Sequence, residues 1–388
     1  MKRIENHPPS INIKNASKFV NECLRSNWIS TSGKFVKNFE QKISNFTKAK
    51  YVIACNTGTA ALQVALRIAG VKNGDEVLVP TLTFVGTINS IIYNNASPIF
   101  IDSDHDYNID INKILKFLKK RTYFKNGFCF NKRTKKKIKA IVPVHLWGNP
   151  INLKNLKKEC NKRNIKIIED AAEAFGSFII NKRKKYHVGL EGFAGCLSFN
   201  ANKIITTGGG GAIITNNKNV AKKALYLTTT AKNDSLNFVH NDIGYNYRLS
   251  SIPAAVGISE IDNINTKLKL KKKIHRLYKK KLENLKNFSL FSIEGPYDSN
   301  HWINILQIKK LSRKNNLKNI LKKLLKKGIE ARPLWKLNHL QIPFKKFEAF
   351  EIFNANDLFK RSICLPSGAK LSSNNIDTIV KILRKIQK

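Results

Sequence analysis

A chain of 388 residues with 42% hydrophobic content can bury a large core and more than one lobe, and it has no run of about 18 apolar residues, which excludes a helical membrane span. Its 70 Lys and Arg stand against 26 Asp and Glu, a net charge of +44, so nucleic acid or an acidic membrane comes first to mind as a partner. The basic residues are spread along amphipathic segments such as 264–287, among Asn and Ile and without the interleaved aromatics of a single-strand binder, so the excess reads as solvated surface that helps to attract an anionic substrate. The opening MKRIENHPPSINIKN has no apolar stretch after its basic residues, so no signal peptide is expected. Six cysteines without a CxxC pair fit reduced thiols of the cytoplasm better than a disulfide frame or a zinc site.

In chain order, YVIAC (51–55) reads as a buried strand and TGTAALQVALRIAG (57–70) as a helix, with Thr57 as its N-cap and Gly70 as its stop. EVLVP (76–80) and PIFID (98–102) are short apolar strands, with TINSIIYNNA (87–96) helical between them. FKNGFCFNKRTKKKIKA (124–140) reads as an inserted hairpin with a basic turn. Strands IKAIVPVHL (138–146), IKIIED (165–170), CLSFN (196–200) and GAIIT (211–215) follow, with INLKNLKKECNKRN (151–164) the clearest helix among them. Continuous apolar strands alternating with helices predict an α/β fold with a mostly parallel sheet covered on both faces. Past a boundary near 255 the pattern becomes α+β: a long basic helix (264–285), a strand HWINILQI (301–308) and a helix NNLKNILKKLLKKG (315–328). The expected division is a large domain of 1–255 and a small C-terminal domain of 256–388.

Three stretches carry chemistry. IIEDAAEA (167–174) ends an apolar strand with Glu169 and Asp170, and ligands of open α/β sheets bind at the carboxyl ends of strands; Asp170 could meet a cationic group there or simply cap a helix. NTGTAAL (56–62) offers hydroxyls, backbone N–H groups and the positive end of a helix dipole, which suits a phosphate. SFNANKIITTGGGG (198–211) sets Ser198 five residues before Lys203 and ahead of four glycines. The order rules out a P-loop, whose glycines precede its lysine. A lysine, a carboxylate and a phosphate cradle together describe a pyridoxal-phosphate site: a Schiff-base lysine, a carboxylate that keeps the pyridine nitrogen protonated, and a serine with a helix N-terminus for the phosphate.

NTGTAAL, PTLTFVGT, HLWGNP, IIEDAAEAFGS, SFNANKIITTGGGGAI and GYNYRLSSIPAAVG follow one another in this order. With them the chain resembles the sugar aminotransferases of the DegT/DnrJ/EryC1/StrS family, from NWISTSGKFVKNFEQKI (27–43) to ARPLW (331–335). The resemblance implies the aspartate-aminotransferase-like fold of the fold-type-I pyridoxal-phosphate enzymes. It implies pyridoxal 5'-phosphate as cofactor, pyridoxamine 5'-phosphate in the half-reaction, and Lys203 and Asp170 as the catalytic pair. Gly58, Thr59, Ala60 and Ser198 match phosphate ligands. Phe84 fits the aromatic that covers the cofactor ring. Glu173 stands where many members have glutamine at the ring hydroxyl. Asn246 matches a phosphate contact from the neighbouring subunit, which implies a homodimer with shared active sites. Arg332 and His339 are substrate-contact candidates.

Within the family the likeness is to the legionaminic-acid and bacillosamine-type enzymes, through 130–145, 202–213 and 228–232. That implies transfer of an amino group from L-glutamate to C4 of a UDP-linked 2-acetamido-4-keto-2,6-dideoxyhexose, with a GDP-linked 4-keto-6-deoxymannose (perosamine type) as the alternative. Members that act as sugar dehydratases replace the lysine with histidine, and this chain keeps Lys203. A pyridoxal-phosphate-dependent sugar dehydratase stays as a further alternative, and, from a different class, a basic nucleic-acid-binding protein in which the fold is inert.

Overall fold

The computed structural model describes residues 3–234, 236–312 and 316–387. Helices α1 (Ile13–Arg25) and α2 (Lys34–Thr47) lead into β1 (Tyr51–Cys55), α3 (Gly58–Ile68), β2 (Glu76–Pro80), α4 (Val85–Ile92), β3 (Ser97–Ile101) and α5 (Ile111–Arg121). Strands β4 (Thr122–Lys125), β5 (Phe128–Asn131) and β6 (Lys137–Ile141) come next, then α6 (Lys154–Lys162), β7 (Lys166–Asp170), β8 (Phe178–Asn181), β9 (Lys184–His187), β10 (Ala194–Ser198), β11 (Gly211–Thr215) and α7 (Lys218–Thr228).

The main sheet runs β1-β11-β10-β7-β6-β2-β3. Neighbours from β10 to β3 are parallel, while β11 lies antiparallel to both β1 and β10. Helices such as α3, whose buried residues run almost its whole length, cover the sheet, so its central strands are apolar on both faces. Helix α3 starts where Thr57 Oγ1 accepts the Ala60 N–H at 3.0 Å and ends before Gly70, at φ +85°. The helix expected at 87–96 begins two residues earlier, with Phe84 as its N-cap residue. It ends at the asparagines, where Asn94 reaches back to the Ser90 carbonyl and Asn95 adopts φ +55°. The hairpin 124–140 turns at Asn126–Gly127, both left-handed, and its basic stretch is the second connection, from β5 to β6.

After two short strands, β12 (Lys232–Asp234) and β13 (Val239–His240), come α8 (Ser251–Asp262) and α9 (Ile264–Leu282). Strands β14 (Phe288–Leu290), β15 (Tyr297–Asp298) and β16 (Asn304–Ile308), helix α10 (Leu317–Lys326), strands β17 (Arg332–Pro333) and β18 (Ala349–Phe350), helix α11 (Asn354–Arg361), strand β19 (Ser362–Leu365) and helix α12 (Ser373–Ile386) complete the chain. Residue 315, the first of the expected helix 315–328, lies outside the described residues. The second sheet is β14-β16-β19-β17, packed with α9, α10 and α12 around Ile274, Tyr278, Leu306, Ile320 and Ile379. Residue 255 falls inside α8, which packs on α1 and α2; we place the change of lobe between α8 and α9. The two lobes share one core, in which Trp302, Leu334 and Ala355 join Phe39, Leu146 and Phe199. Strand β18 also pairs with β3 at the edge of the main sheet.

The fold buries several histidines, and one gives a testable pH dependence. His187 Nε2 accepts the Gly176 N–H at 2.9 Å, which leaves Nδ1 to donate to the Val188 carbonyl at 2.6 Å. Burial lowers its pKa from the ordinary histidine value of 6.5 to about 4. The unfolded chain therefore binds the extra proton first, so this contribution is fully present above pH 6.5 and is lost as pH falls toward 4. Asp104, pushed up to about 7 by burial and by Asp106, runs the opposite way over an overlapping range. Comparison with His187→Gln isolates the histidine. The stability of wild type minus that of the variant, from urea unfolding, is expected to shrink by about 3 kcal/mol between pH 6.5 and 4; a constant difference would refute it.

Candidate active site

The carboxyl ends of β1, β7 and β10 and the loop after β2 open onto one cavity of about 300 Å³. Gly58, Thr59, Phe84, Asp170, Glu173, Ser198 and Lys203 all line it, as do Thr83, Thr87, Asn200, Trp302 and Trp335. Seven of the residues singled out in the sequence thus meet in one place, from segments as far apart as 58 and 203.

Asp170 ends β7 and is 3% exposed. Its Oδ2 accepts the Thr87 hydroxyl at 2.7 Å and its Oδ1 the Ala172 N–H at 3.1 Å. Burial pushes its carboxyl above the usual range, against the pull of Thr87, the Ala172 N–H and the Lys203 charge. Its neighbour Glu169 has a different job. One oxygen meets His145 Nε2 at 2.9 Å and the Gly189 N–H, and the other accepts the Glu191 and Gly192 N–H groups. Burial alone would raise Glu169, but His145 and these N–H groups outweigh it and hold the carboxyl low. His145, whose Nδ1 accepts the Ile151 N–H at 3.2 Å, is therefore a structural strand-end histidine.

Lys203 sits in the loop between β10 and β11. Its Nζ lies 3.4 Å from Glu173 Oε1 and 4.0 Å from the centre of the Trp302 ring. Glu173 uses its other oxygen to accept the Trp147 N–H at 2.8 Å. Trp147 holds a left-handed φ of +55°, and that costly backbone belongs to the HLWGNP segment. Burial raises the Glu173 carboxyl and the Lys203 charge opposes that rise.

Glycine 211 explains why the run after Lys203 tolerates no side chain at its end. A Cβ there would stand 2.5 Å from the Gly58 N and the Thr57 carbonyl, so β11 can press against the start of α3 only as glycine. Ala60 does not line the cavity, and its N–H is donated to Thr57 Oγ1. Arg332 is exposed on β17 and pairs with Glu330. His339 Nδ1 is bonded to Thr81 Oγ1 at 2.6 Å. Asn246 is exposed and pairs with Thr229. None of these three lines the cavity of its own chain. The sequence reading missed Thr87, Trp302 and Trp335. Thr87 had one signal, the hydroxyl-rich PTLTFVGT, and Trp335 closes ARPLW; Trp302 had none.

A doubly covered, mostly parallel sheet with a lysine and a buried carboxylate in one cavity at its strand ends defines the class of fold-type-I pyridoxal-phosphate-dependent aminotransferases. The chain belongs to the DegT/DnrJ/EryC1/StrS aminotransferase family, whose model matches residues 11–384. It is 34% identical over 387 residues to EpsN of Bacillus subtilis (strain 168), provisionally named a pyridoxal phosphate-dependent aminotransferase, covering 98% of this chain and 95% of that protein. It is 33% identical over 377 residues to GDP-perosamine synthase of Escherichia coli O157:H7, covering 97% and 96%. The crystal structure of a DegT DnrJ EryC1 StrS aminotransferase from Brucella abortus superposes with a TM-score of 0.87 at 25% identity, covering 97% of this chain and 96% of that one.

The residues present fit pyridoxal phosphate. An amine and a buried anionic carboxyl suit its aldehyde and its ring nitrogen. Ser198 and the first residues of α3 suit its phosphate. The phosphate end is tight: a Cβ on Gly58 would stand 2.9 Å from Ser198 Cβ. Gly58→Ala is therefore expected to displace Ser198 and weaken cofactor retention about tenfold, the loss of one charge-assisted hydrogen bond. Fluorescence titration of the cofactor-free protein checks this; unchanged affinity would remove Gly58 and Ser198 from the phosphate site.

Proposed function

We propose that this chain is an aminotransferase of nucleotide-linked sugars, aminating C4 of a 4-keto-6-deoxyhexose with L-glutamate as donor. The observation that carries it is the joint placement of the Lys203 amine and the Asp170 carboxylate in one cavity. The sugar part rests on the family and on relatives named for such sugars.

Lys203 would carry the covalent link to the cofactor, Asp170 would pair with the pyridine nitrogen, and Gly58, Thr59 and Ser198 would hold the phosphate. When bound, the cofactor supplies a carbonyl carbon that stores the amino group and a ring that draws electrons from the bond being broken. The chain's own work is proton handling. Lys203 Nζ takes the proton from the donor's Cα and later delivers one to C4 of the sugar. Glu173, 3.4 Å from that Nζ, holds the amine inside the cavity. Asp170, fixed by Thr87 and the Ala172 N–H, keeps a negative charge opposite through a charge-assisted bond. Phe84 and Trp335, edge to face at 5.9 Å, flank the mouth of the cavity.

The working form is a homodimer in which the partner subunit's Asn246 reaches the phosphate. In support, Leu236, Phe238 and Ile243 of the adjoining loop are 84%, 68% and 79% exposed, a run of apolar surface that a second copy would cover. Among the described residues no helix is long and apolar enough to cross a membrane.

Of the nucleotide sugars, UDP-2-acetamido-4-keto-2,6-dideoxyhexose is the first reading. GDP-4-keto-6-deoxymannose is the second, favoured by the perosamine synthase at 33% identity. A panel of UDP-, GDP- and dTDP-linked 4-keto sugars with glutamate, read by mass, tests both: each aminated product names its carrier. Loss of water from the sugar without consumption of glutamate would instead mark a dehydratase. No reaction, with steeply salt-dependent binding to nucleic acid, would mark an inert fold.

A further inference from the structure

Lys203 must be held somewhere whenever it is not joined to the cofactor, and the cavity contains a place built for that. Its Nζ stands 4.0 Å from the centre of the Trp302 ring, with Glu173 Oε1 at 3.4 Å. Trp302 is 2% exposed, so its face is largely desolvated, the condition under which a cation over an aromatic ring gains most. Its indole N–H donates to the carbonyl of Asn202 at 2.7 Å. One side chain thus grips the backbone next to Lys203 and offers its face to the Lys203 amine.

The ring is aimed by costly backbone, which Ser299 Oγ helps to hold by accepting the His301 N–H at 3.1 Å. His301, just before it, holds φ +48°, a conformation a bulky side chain keeps only when its surroundings impose it. Asn300 imposes it. Its Oδ1 accepts the Trp302 N–H at 2.8 Å, while its Nδ2 donates to the carbonyls of Glu173 at 2.8 Å and Phe175 at 3.0 Å. One asparagine therefore fixes both walls between which the amine rests. Behind the ring, His7 lies 5.6 Å away and Lys271 Nζ donates to the Trp302 carbonyl at 2.6 Å.

We propose that Trp302 is a positioning residue for amino transfer: its indole face is the dock of the free Lys203 ammonium between the steps in which the amine is covalently engaged. This rests on the reading of Lys203 as the Schiff-base lysine. The dock keeps the proton-carrying nitrogen inside the cavity, covered on one side by the indole and held beside Glu173, where a reagent from solvent reaches it poorly.

The test is trace acetylation of the full-length, cofactor-free protein at neutral pH, with peptide mapping and normalisation to exposed lysines. Trp302→Leu is expected to raise acetylation of Lys203 about 5- to 10-fold, and Trp302→Phe, which keeps an aromatic face, by less than about 2-fold. Lys271, fully enclosed behind the ring, serves as the control. If its acetylation rises in step with that of Lys203, the variant has merely loosened, and the proposal fails for that variant. Equal labelling of Lys203 in wild type and Trp302→Leu overturns the proposal. So does a Phe variant that behaves like Leu, since the indole N–H clamp would then be the whole effect. Should Trp302→Leu not fold, Lys203→Met supplies the other arm. It is expected to raise tryptophan emission, and the rise should vanish in the Trp302→Phe background; no change would refute the contact. Borohydride reduction of loaded protein asks separately whether position 203 carries the cofactor, so either idea can fail without the other.

Discussion

Lys203→Ala is expected to lower amino transfer by about 10⁴-fold or more, since it removes both the covalent anchor and the group that moves the proton. The purified variant should lack the visible absorbance of a protein-bound Schiff base, and borohydride should leave no tag at residue 203. Folding should survive. Removing the amine strips Glu173 of its cation at 3.4 Å, but burial has already pushed that carboxyl up, so it takes a proton instead of remaining a buried unpaired charge. Lys203→Arg separates charge from chemistry. It preserves a cation for Glu173 and Trp302, yet a guanidinium stays protonated at any working pH, so it can neither form the link nor accept a proton. Activity within tenfold of wild type in either variant, or a borohydride tag on another lysine, would falsify the assignment.

The main sheet was legible because its strands are continuous apolar runs, and a buried parallel strand has to be one. The direction of β11 was not legible for the same reason: a strand covered on both faces carries no alternation that would betray its orientation. Element ends moved where side chains overruled the pattern, as when Asn94 and Asn95 stopped α4 early. In the site, Lys203, Asp170 and Ser198 could be read because each sits beside a local signature, a glycine run or a strand end. Trp302 could not. Its contact with Lys203 spans 99 positions, and its setting in SNHWIN has neither period nor motif. Ala60 is assigned by its position in NTGTAAL, although Thr57 as N-cap already claims the N–H three residues on, which is that of Ala60.

The net charge of +44 contributes little to the fold's logic. Exposed ion pairs such as Lys34–Glu22 and Lys42–Asp262 are worth about 0–1 kcal/mol each, and most lysines have no acid to meet. The cavity is built differently: among its lining residues the charged groups are Asp170, Glu173 and Lys203, so polarity inside is set by a few buried groups and not by the surface excess. Long-range attraction of a doubly charged nucleotide diphosphate is the effect left to the surface, and it should weaken as salt rises.

Asp170→Asn should cost about 10²–10³-fold in turnover while leaving the fold intact. Truncating one partner of a buried charged pair costs about 3–5 kcal/mol, which converts to rate losses of that order, because a neutral amide no longer holds the ring nitrogen protonated. The shape is kept. The Ala172 N–H retains an oxygen acceptor, and the Thr87 hydroxyl can turn to accept from the new amide while donating to Thr83 Oγ1, 3.0 Å away. The pH profile tests the electrostatics more directly. Burial raises the Asp170 carboxyl, and the Thr87 hydroxyl is the first of the groups pulling it back. A raised carboxyl protonates early on acidification of the cofactor-free protein, so the affinity of wild type for the cofactor should fall as pH drops through that titration, and Asp170→Asn should lack this limb. Thr87→Val removes a hydrogen bond that favours the ionised form, so the acid limb of cofactor affinity should move to higher pH, with affinity at alkaline pH much less affected. A limb that stays where it is in Thr87→Val would show that Asp170 is not the titrating group, and a turnover unchanged in Asp170→Asn would take the carboxylate out of the chemistry altogether.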